Sequence, residues 1–263
     1  MANDKISVIT VCYNAADTID ETIKSVLGQD YDNYEYIIVD GASQDSTIEI
    51  VTRYESAFAE KNVSFKVLSE KDNGIYDAMN KAIDLAVGDW LIFMNADDSF
   101  YNSKVLSKVF ESDLREYSAV YGDYVQFDRR AEYPMKSEPI ETMPQKMPFM
   151  HQSVFVRHSL HKKYKFDLLY KLCADYDFFF KLYALGYKFK QIDVFVCNYS
   201  VLGISGSALL DAQKEVIQIK KKNSKQFPIT ITDILKWKID ACKMQIKMLL
   251  PEEIRTIIRQ IKH

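Results

Sequence analysis

The sequence predicts an α/β protein, a mostly parallel sheet flanked by helices on both faces, with a helical extension at the C-terminal end. Two observations predict the class. Short, mostly apolar runs recur through the first hundred residues, and most are followed by a segment whose apolar residues fall at helical spacing. Strands buried on both faces read as continuous apolar runs, and the intervening helices cover the sheet. A third observation concerns position: Asp40, Asp72 and the pair Asp97 and Asp98 stand at or just beyond the carboxyl ends of these runs. In an open parallel sheet that edge is where ligands bind.

Residues 6–11 form the first strand, after which Ile19, Ile23, Val26 and Leu27 share one helical face. Residues 36–39 form the second strand; Asp40, Gly41, Ala42 and Ser43 break it and lead into a helix carrying Ile48, Val51 and Tyr54. The third strand spans 63–68. Ile75, Ala78, Met79, Ala82, Ile83 and Ala86 then make a helical stripe, with Gly88 expected as its C-cap. The fourth strand, 90–94, emerges at Asn95, Ala96, Asp97 and Asp98. Further on we expect a strand at 119–127, a polar, proline-punctuated loop at 128–150, a strand-like segment at 151–156, a helix at 174–185 and a strand at 189–199. The remainder reads as helical: 214–222, then a stripe of Ile234, Leu235, Ile239, Cys242, Ile246 and Leu249, and a last helix opened by Pro251 with Glu252 and Glu253.

A chain of 263 residues, 48% of them hydrophobic, suffices for one large core with a small appended element. We expect a main domain at 1–212, with halves at 1–100 and 101–212, and a basic amphipathic tail at 213–263. Residues 214–263 hold twelve Lys and Arg against five Asp and Glu, whereas residues 1–213 hold 22 against 32. An acidic body argues against nucleic acid as the partner, and a basic tail suits anionic lipid or an acidic protein. Cys12, Cys173, Cys197 and Cys242 are scattered and fit reduced thiols. The first residues carry no signal-peptide pattern, and the longest uncharged stretch, 194–210, is interrupted by polar residues and glycines, so a cytoplasmic protein is expected.

Adjacent carboxylates at Asp97 and Asp98 repel each other unless a divalent cation neutralises them, and hard oxygen ligands suit magnesium or manganese. Alone, the pair reads as a solvated turn with a helix cap from Asp98 or Ser99. Asp40 offers a hydrogen-bond acceptor to a base or ribose, or else caps the helix starting near residues 45–47. Asp72, Asn73 and Gly74 alone read as a turn. Asp175 and Asp177 precede an aromatic run; a carboxylate in a first helical turn stays ionised, as a general base requires, but also serves as a plain helix start. His151 is open between core histidine, phosphate contact and metal ligand. Tyr13, just beyond the first strand, is placed to stack on a base.

Taken in order, ISVITVCYNA (6–15), SVLGQDY (25–31), YEYIIVDGASQDST (34–47), EKDNGIYDAMNKAIDLAVGDWLIFMNADD (70–98) and ADYDFFFKL (174–182) resemble glycosyltransferase family 2, inverting enzymes with the GT-A fold. Each motif is modest, and five in the family's order make a specific signal. The resemblance implies that Val11, Tyr13 and Asp40 hold the nucleobase, with Asp72 close by. It implies a D-x-D-like motif over Asn95, Asp97 and Asp98, in which Asp98 ligates manganese or magnesium and Asp97 lies nearer the ribose or phosphates. Asn95 departs from that motif. The family's E-D pair appears as Ala174 and Asp175, which makes Asp175 the implied catalytic base.

GIYDAMNKA, HQSVFV (151–156) and GISGS (203–207) are more similar to the subgroup that assembles bacterial surface polysaccharides of colanic-acid, exopolysaccharide or O-antigen type. The Q-x-x-R-W motif and membrane helices of processive synthases are absent from the sequence, which implies transfer of a single sugar. The implied donor is a nucleotide-diphosphate sugar, UDP-linked by family frequency, bound by residues 1–100. The implied acceptor is a hydroxyl of a saccharide or lipid-linked saccharide, bound by residues 101–212 with His151 and Asp177 in contact. A sugar nucleotidyltransferase is the rival reading, but it carries a glycine-rich basic loop after its first strand, and residues 12–17 contain no Gly, Lys or Arg. The other rival is an inactive nucleotide-sugar-binding module, hinted at by Asn95 and Ala174. The tail, with Trp237 in its apolar stripe, is expected to meet the inner face of the cytoplasmic membrane or to pack on protein, including a second copy in a homodimer.

Overall fold

Two strands, β1 (Ile6–Cys12) and β2 (Tyr34–Asp40), are buried along their whole length. The computed structural model describes residues 4–127, 131–200, 209–228 and 239. In it β1 pairs in parallel with β2 on one side and with β4 (Trp90–Phe93) on the other, and β3 (Ser64–Ser69) pairs in parallel with β2. The order is β3-β2-β1-β4. The chain steps outward from β1 to β3 and then returns to the far side of β1. The loops leaving β1 and β4 therefore part and open a crevice at their carboxyl ends.

Alternation along the strands divides the core into two layers. Ile6, Val8 and Cys12 of β1 and Tyr36 and Ile38 of β2 pack with apolar residues of α1 (Ile19–Leu27), α2 (Thr47–Thr52) and α3 (Glu55–Glu60). The other layer holds α4 (Ile75–Leu85), which buries Ala78, Met79, Ala82 and Ile83 against β1 and β2. Each wholly buried Ile or Val contributes about 1.5–3 kcal/mol, so this parallel half is the rigid part of the frame.

The second half is mixed. β5 (Ser99–Phe100), α5 (Val105–Phe110), β6 (Ala119–Phe127), β7 (Glu132–Met135), β8 (Val154–Arg157), α6 (His158–Tyr164), α7 (Ala174–Ala184) and β9 (Phe189–Ser200) follow in turn. The sheet continues from β4 as β8-β6-β9-β5, with β7 on β6. β8 runs antiparallel to both β4 and β6, while β9 is parallel to β6. Because β8 opposes β4 in direction, the 3-10 turn before it, His151–Ser153, lands beside the carboxyl end of β4. Strand β9 likewise ends next to β5, with Asn198 opposite Ser99.

Several expectations change. Gly88 does not cap α4: the helix ends at Leu85 and Ala86 is extended. A Cβ on Gly88 would stand 2.7 Å from the Ser7 nitrogen and 2.9 Å from the Lys5 carbonyl oxygen, so its missing side chain permits close approach to β1. The expected loop at 128–150 contains β7 and a 3-10 turn at Ile140–Thr142, and Pro134 is tolerated in β7, a short strand added to the end of β6. Residues 151–153 form a turn rather than the start of a strand.

The chain divides into two compact units, residues 1–203 and 204–263, and α8 (Leu209–Lys222) belongs to the second. Among the described residues, no helix is long and apolar enough to cross a membrane. The GISGS segment lies outside the described residues, as does the apolar stripe of 234–261 with Trp237, Ile239 apart.

Candidate active site

The loops after β1 and β2 are tied together by their own polar groups. The Asn14 N–H donates to Ser43 Oγ at 2.7 Å, the Gln44 N–H to Asn14 Oδ1 at 2.9 Å, and the Ala15 N–H to Thr47 Oγ1 at 2.8 Å. Asn14 and Ala42 take left-handed φ values of 50° and 61°, so these bonds hold a shape the backbone does not choose alone. Asp40 is wholly buried, accepting from the Ser43 N–H at 2.9 Å, Ser69 Oγ at 2.7 Å, Cys12 Sγ at 3.6 Å and Ser43 Oγ. It does not cap α2; Asp45 Oδ1 takes the Thr47 N–H at 3.0 Å instead. Asp40 thus fixes the floor of the crevice from beneath.

Tyr13 stands on that floor, 62% exposed. A Cβ on Gly41 would lie 3.3 Å from Tyr13 Cδ2 and 2.6 Å from Asp72 Oδ2. Glycine at 41 therefore lets Tyr13 and Asp72 converge over the end of β2. Asp72 in turn accepts the Gly74 N–H at 2.8 Å, at the start of α4. The Val11 side chain is buried, which leaves only its backbone available to a ligand.

Asp98 caps no helix, since β5 begins at Ser99. Its carboxylate is 2% exposed, with Gln152 Nε2 donating to Oδ2 at 2.7 Å and the Ser200 N–H donating to Oδ1 at 3.0 Å. Burial, and then the charge of Asp97, hold the Asp98 carboxyl well above the usual carboxylate range; burial raises half-buried Asp97 as well. Burial favours the neutral acid, and a nearby cation would favour the charged form. Around them Asn95 Oδ1, Gln152 Oε1 and His151 Nε2 are buried with no hydrogen-bond partner among the described residues. Unpaired buried polar atoms are rare and can accept or donate to a bound molecule or water.

Among the described residues, no three His, Cys, Asp or Glu are grouped to hold a metal by themselves. Asp97, Asp98 and the unpaired Asn95 Oδ1 fit a metal shared with a diphosphate. Magnesium-type ions are commonly held by one or two carboxylates, with phosphates and water completing the shell.

Asp175 lies in the first turn of α7 and is held by Tyr76 of α4, whose Oη donates to Asp175 Oδ1 at 2.9 Å and stands 3.0 Å from the Leu172 carbonyl oxygen. His151 Nδ1 is 4.0 Å from Asp175 Oδ2. The His151 ring sits among Phe93, Phe166 and Phe179, with centroids at 5.3, 5.8 and 5.9 Å. Burial holds this imidazole below its usual range, Asp175 opposing, so the ring is neutral at neutral pH. Gln152 thus bonds Asp98, and its chain neighbour His151 stands 4.0 Å from Asp175, which Tyr76 bonds. Asp177 is buried, about 200° around the helix from Asp175, and its Oδ2 lies 3.5 Å from Lys181 Nζ.

Residues 7–183 match the family model described as Glycosyl transferase family 2. The chain belongs to glycosyltransferase family 2. It is 28% identical over 217 residues to a PGL/p-HBAD biosynthesis glycosyltransferase of Mycobacterium bovis (strain BCG / Pasteur 1173P2), covering 81% of this chain and 83% of that one. Its fold is similar to that of S. aureus TarS residues 1–349, solved in complex with UDP, at a TM-score of 0.66 and 19% identity, covering 95% of this chain and 77% of that one. It is also similar to the mannosyltransferase PcManGT from Pyrobaculum calidifontis, solved with GDP-Man and Mn2+, at a TM-score of 0.65 and 18% identity, covering 90% and 69%. The mixed sheet with flanking helices is the GT-A fold, and this family 2 glycosyltransferase is a nucleotide-sugar-dependent transferase.

Sequence reasoning singles out the acids of this glycosyltransferase but not Gly41, Tyr76, Gln152 or Ser200. Gly41 had a signal, a glycine directly after the acid that ends β2. Gln152 and Tyr76 sit inside quoted motifs, yet their roles depend on which strand β8 joins and on where α7 begins, and neither is visible in a linear pattern.

Proposed function

We propose that this glycosyltransferase moves one sugar from a nucleotide-diphosphate sugar, UDP-linked first among donors, to a hydroxyl of a saccharide or lipid-linked saccharide, with inversion. The setting is assembly of a bacterial surface polysaccharide. The observation that carries the reading is that Gln152 bonds Asp98 while its chain neighbour His151 stands 4.0 Å from Asp175, which supports a phosphate-side acid and a base sharing one crevice. Tyr13, Asp72 and the Val11 backbone suit the nucleobase and ribose, on a floor shaped by Asp40, and Asp97 suits the ribose or phosphates. Manganese or magnesium on Asp98, near Asn95, would offset charge building on the departing diphosphate. The solved complexes of TarS with UDP and of PcManGT with GDP-Man and Mn2+ support this donor class.

Asp175 takes the proton of the acceptor hydroxyl as that oxygen attacks the anomeric carbon from the face opposite the diphosphate. The bond from the anomeric carbon to the diphosphate oxygen breaks, and inversion follows from the single displacement. His151 suits the acceptor side of the crevice, whereas Asp177 serves α7 through Lys181. The basic segment beyond residue 213 suits the inner face of the cytoplasmic membrane, where a lipid-linked acceptor would be met.

Melting of the purified chain with UDP, GDP or dTDP, with and without Mn2+, tests the donor reading. One nucleotide diphosphate at a hundred times its Kd, with the metal, is expected to stabilise the fold by about 2.7 kcal/mol. No response to any of the three, with or without Mn2+, would overturn it.

A further inference from the structure

Tyr76 belongs to α4, a helix that begins beside Asp72, yet its hydroxyl reaches across to α7. There it meets two acceptors with one proton: Asp175 Oδ1 at 2.9 Å and the Leu172 carbonyl oxygen at 3.0 Å. The ring is buried and packs on Phe166, with centroids 5.4 Å apart, so the hydroxyl can change partner by turning about its own C–O bond while the ring stays in place.

We propose that Tyr76 is the positioning residue of the base, its hydroxyl proton pointing at Asp175 before transfer and turning to the Leu172 carbonyl when Asp175 takes up the acceptor proton. This rests on the reading of Asp175 as the base. Among the described residues, both hydrogen bonds to that carboxylate fall on Oδ1, from Tyr76 Oη and from the Tyr176 N–H at 2.9 Å, which leaves Oδ2 to receive the proton. While the carboxylate is charged, the phenol–carboxylate bond is charge-assisted and is the stronger of the two choices. Once Oδ2 is protonated, Oδ1 becomes an ordinary acceptor and the Leu172 carbonyl competes with it on equal terms.

The surroundings leave this task to Tyr76. Burial, and then the charge of Asp175, hold the phenol far above its usual range, so it keeps its proton throughout. His151, facing Asp175 from the turn before β8, is neutral and supplies no positive charge. On the base's own helix the neighbouring titratable groups are Cys173 at the N-cap and Asp177, the latter beside Lys181. In the transfer the acceptor O–H bond breaks and an O–H bond forms at Oδ2. The acceptor oxygen bonds to the anomeric carbon, and the nucleotide diphosphate departs with the electron pair of the broken bond.

Tyr76→Phe keeps the ring and removes the hydroxyl. In the full chain it is expected to melt near the parent and keep the donor KM, with kcat down roughly ten- to a hundred-fold. The hydroxyl orients a carboxylate that acts in the chemical step, so its loss lowers kcat and leaves the donor KM in place. Asp175→Asn is measured alongside. If Asp175→Asn is inactive while Tyr76→Phe shows parental kcat, the role of Tyr76 is overturned. A lower kcat that comes with a raised donor KM or a lower melting point in Tyr76→Phe marks a merely structural residue and also overturns it. An active Asp175→Asn instead overturns the base assignment beneath it.

Discussion

After β1 and β2 the acids of the crevice are bonded by their own loops, whereas beside β4 and β8 buried polar atoms lack partners. Asp40 accepts from Ser43, Ser69 and Cys12, and Asp72 from the Gly74 N–H. Across from them, Asn95 Oδ1, Gln152 Oε1 and His151 Nε2 have no partner among the described residues. A wall whose polar groups are satisfied keeps its shape with no ligand present. A wall with unpaired groups is completed by what it binds. Substitutions on the first wall should therefore lower stability, and those on the second should lower chemistry or ligand response while sparing the fold.

The largest effect is expected at Asp175. Asp175→Asn should lower transfer by roughly 10²- to 10⁴-fold, the usual contribution of a general base, with donor binding intact in a nucleotide melting assay. A ligand-free melting point lowered in step with activity would erase the contrast between the walls. Asp40→Ala should act in the opposite way. It strands the Ser43 N–H and the Ser69 hydroxyl and is expected to cost about 2–3 kcal/mol, seen as a lower urea midpoint at unchanged slope. Gly41→Ala sets a methyl against the Asp72 and Tyr13 side chains, which can shift, so it should change the melting point little and weaken nucleotide binding in the melting assay.

A smaller effect follows from the histidines behind the second wall. Burial holds His151 and, more strongly, His161 below the usual imidazole range, and His161 Nδ1 lacks a partner among the described residues. As pH falls, the unfolded chain takes up these protons first. Stability from the neutral rings is therefore complete above about pH 6.5 and declines below it, by up to about 1.4 kcal/mol per pH unit for each histidine. Melts from pH 7.5 to 5.5 should fall, and the fall should shrink in His161→Phe; an identical decline in that variant would remove His161 from the account.

Legibility in the sequence follows the same division. β6 is read to the residue, and β1 to within one residue at Cys12, because apolar runs declare themselves wherever a strand is buried. Helix α6 is missed: HSLHKKY offers one aliphatic residue, and its buried face uses His158 and His161. The two ring nitrogens of His158 stand 3.0 Å from the Gly88 and Ile83 carbonyl oxygens, contacts across 70 and 75 residues that no local period reports. β7 is hidden by its shortness and its proline. Gly88 is misread because a helix cap and a close approach both call for glycine. Of the candidate site, motif order points to Asp175, whereas Gln152 needs the antiparallel placement of β8 beside β4.

Asp98 is where the two walls and the donor phosphates are expected to meet, and Asp98→Asn tests this most directly because the amide keeps the shape between Gln152 and Ser200. Thermal melts with UDP and Mn2+, run together with transfer assays before and after EDTA, report binding and chemistry separately. The parent should be stabilised by UDP in a Mn2+-dependent way and lose transfer on chelation, while Asp98→Asn, folded to the same melting point without ligand, should show neither response. Parental Mn2+-dependent stabilisation and transfer in Asp98→Asn would contradict the assignment of Asp98 as the metal-binding carboxylate.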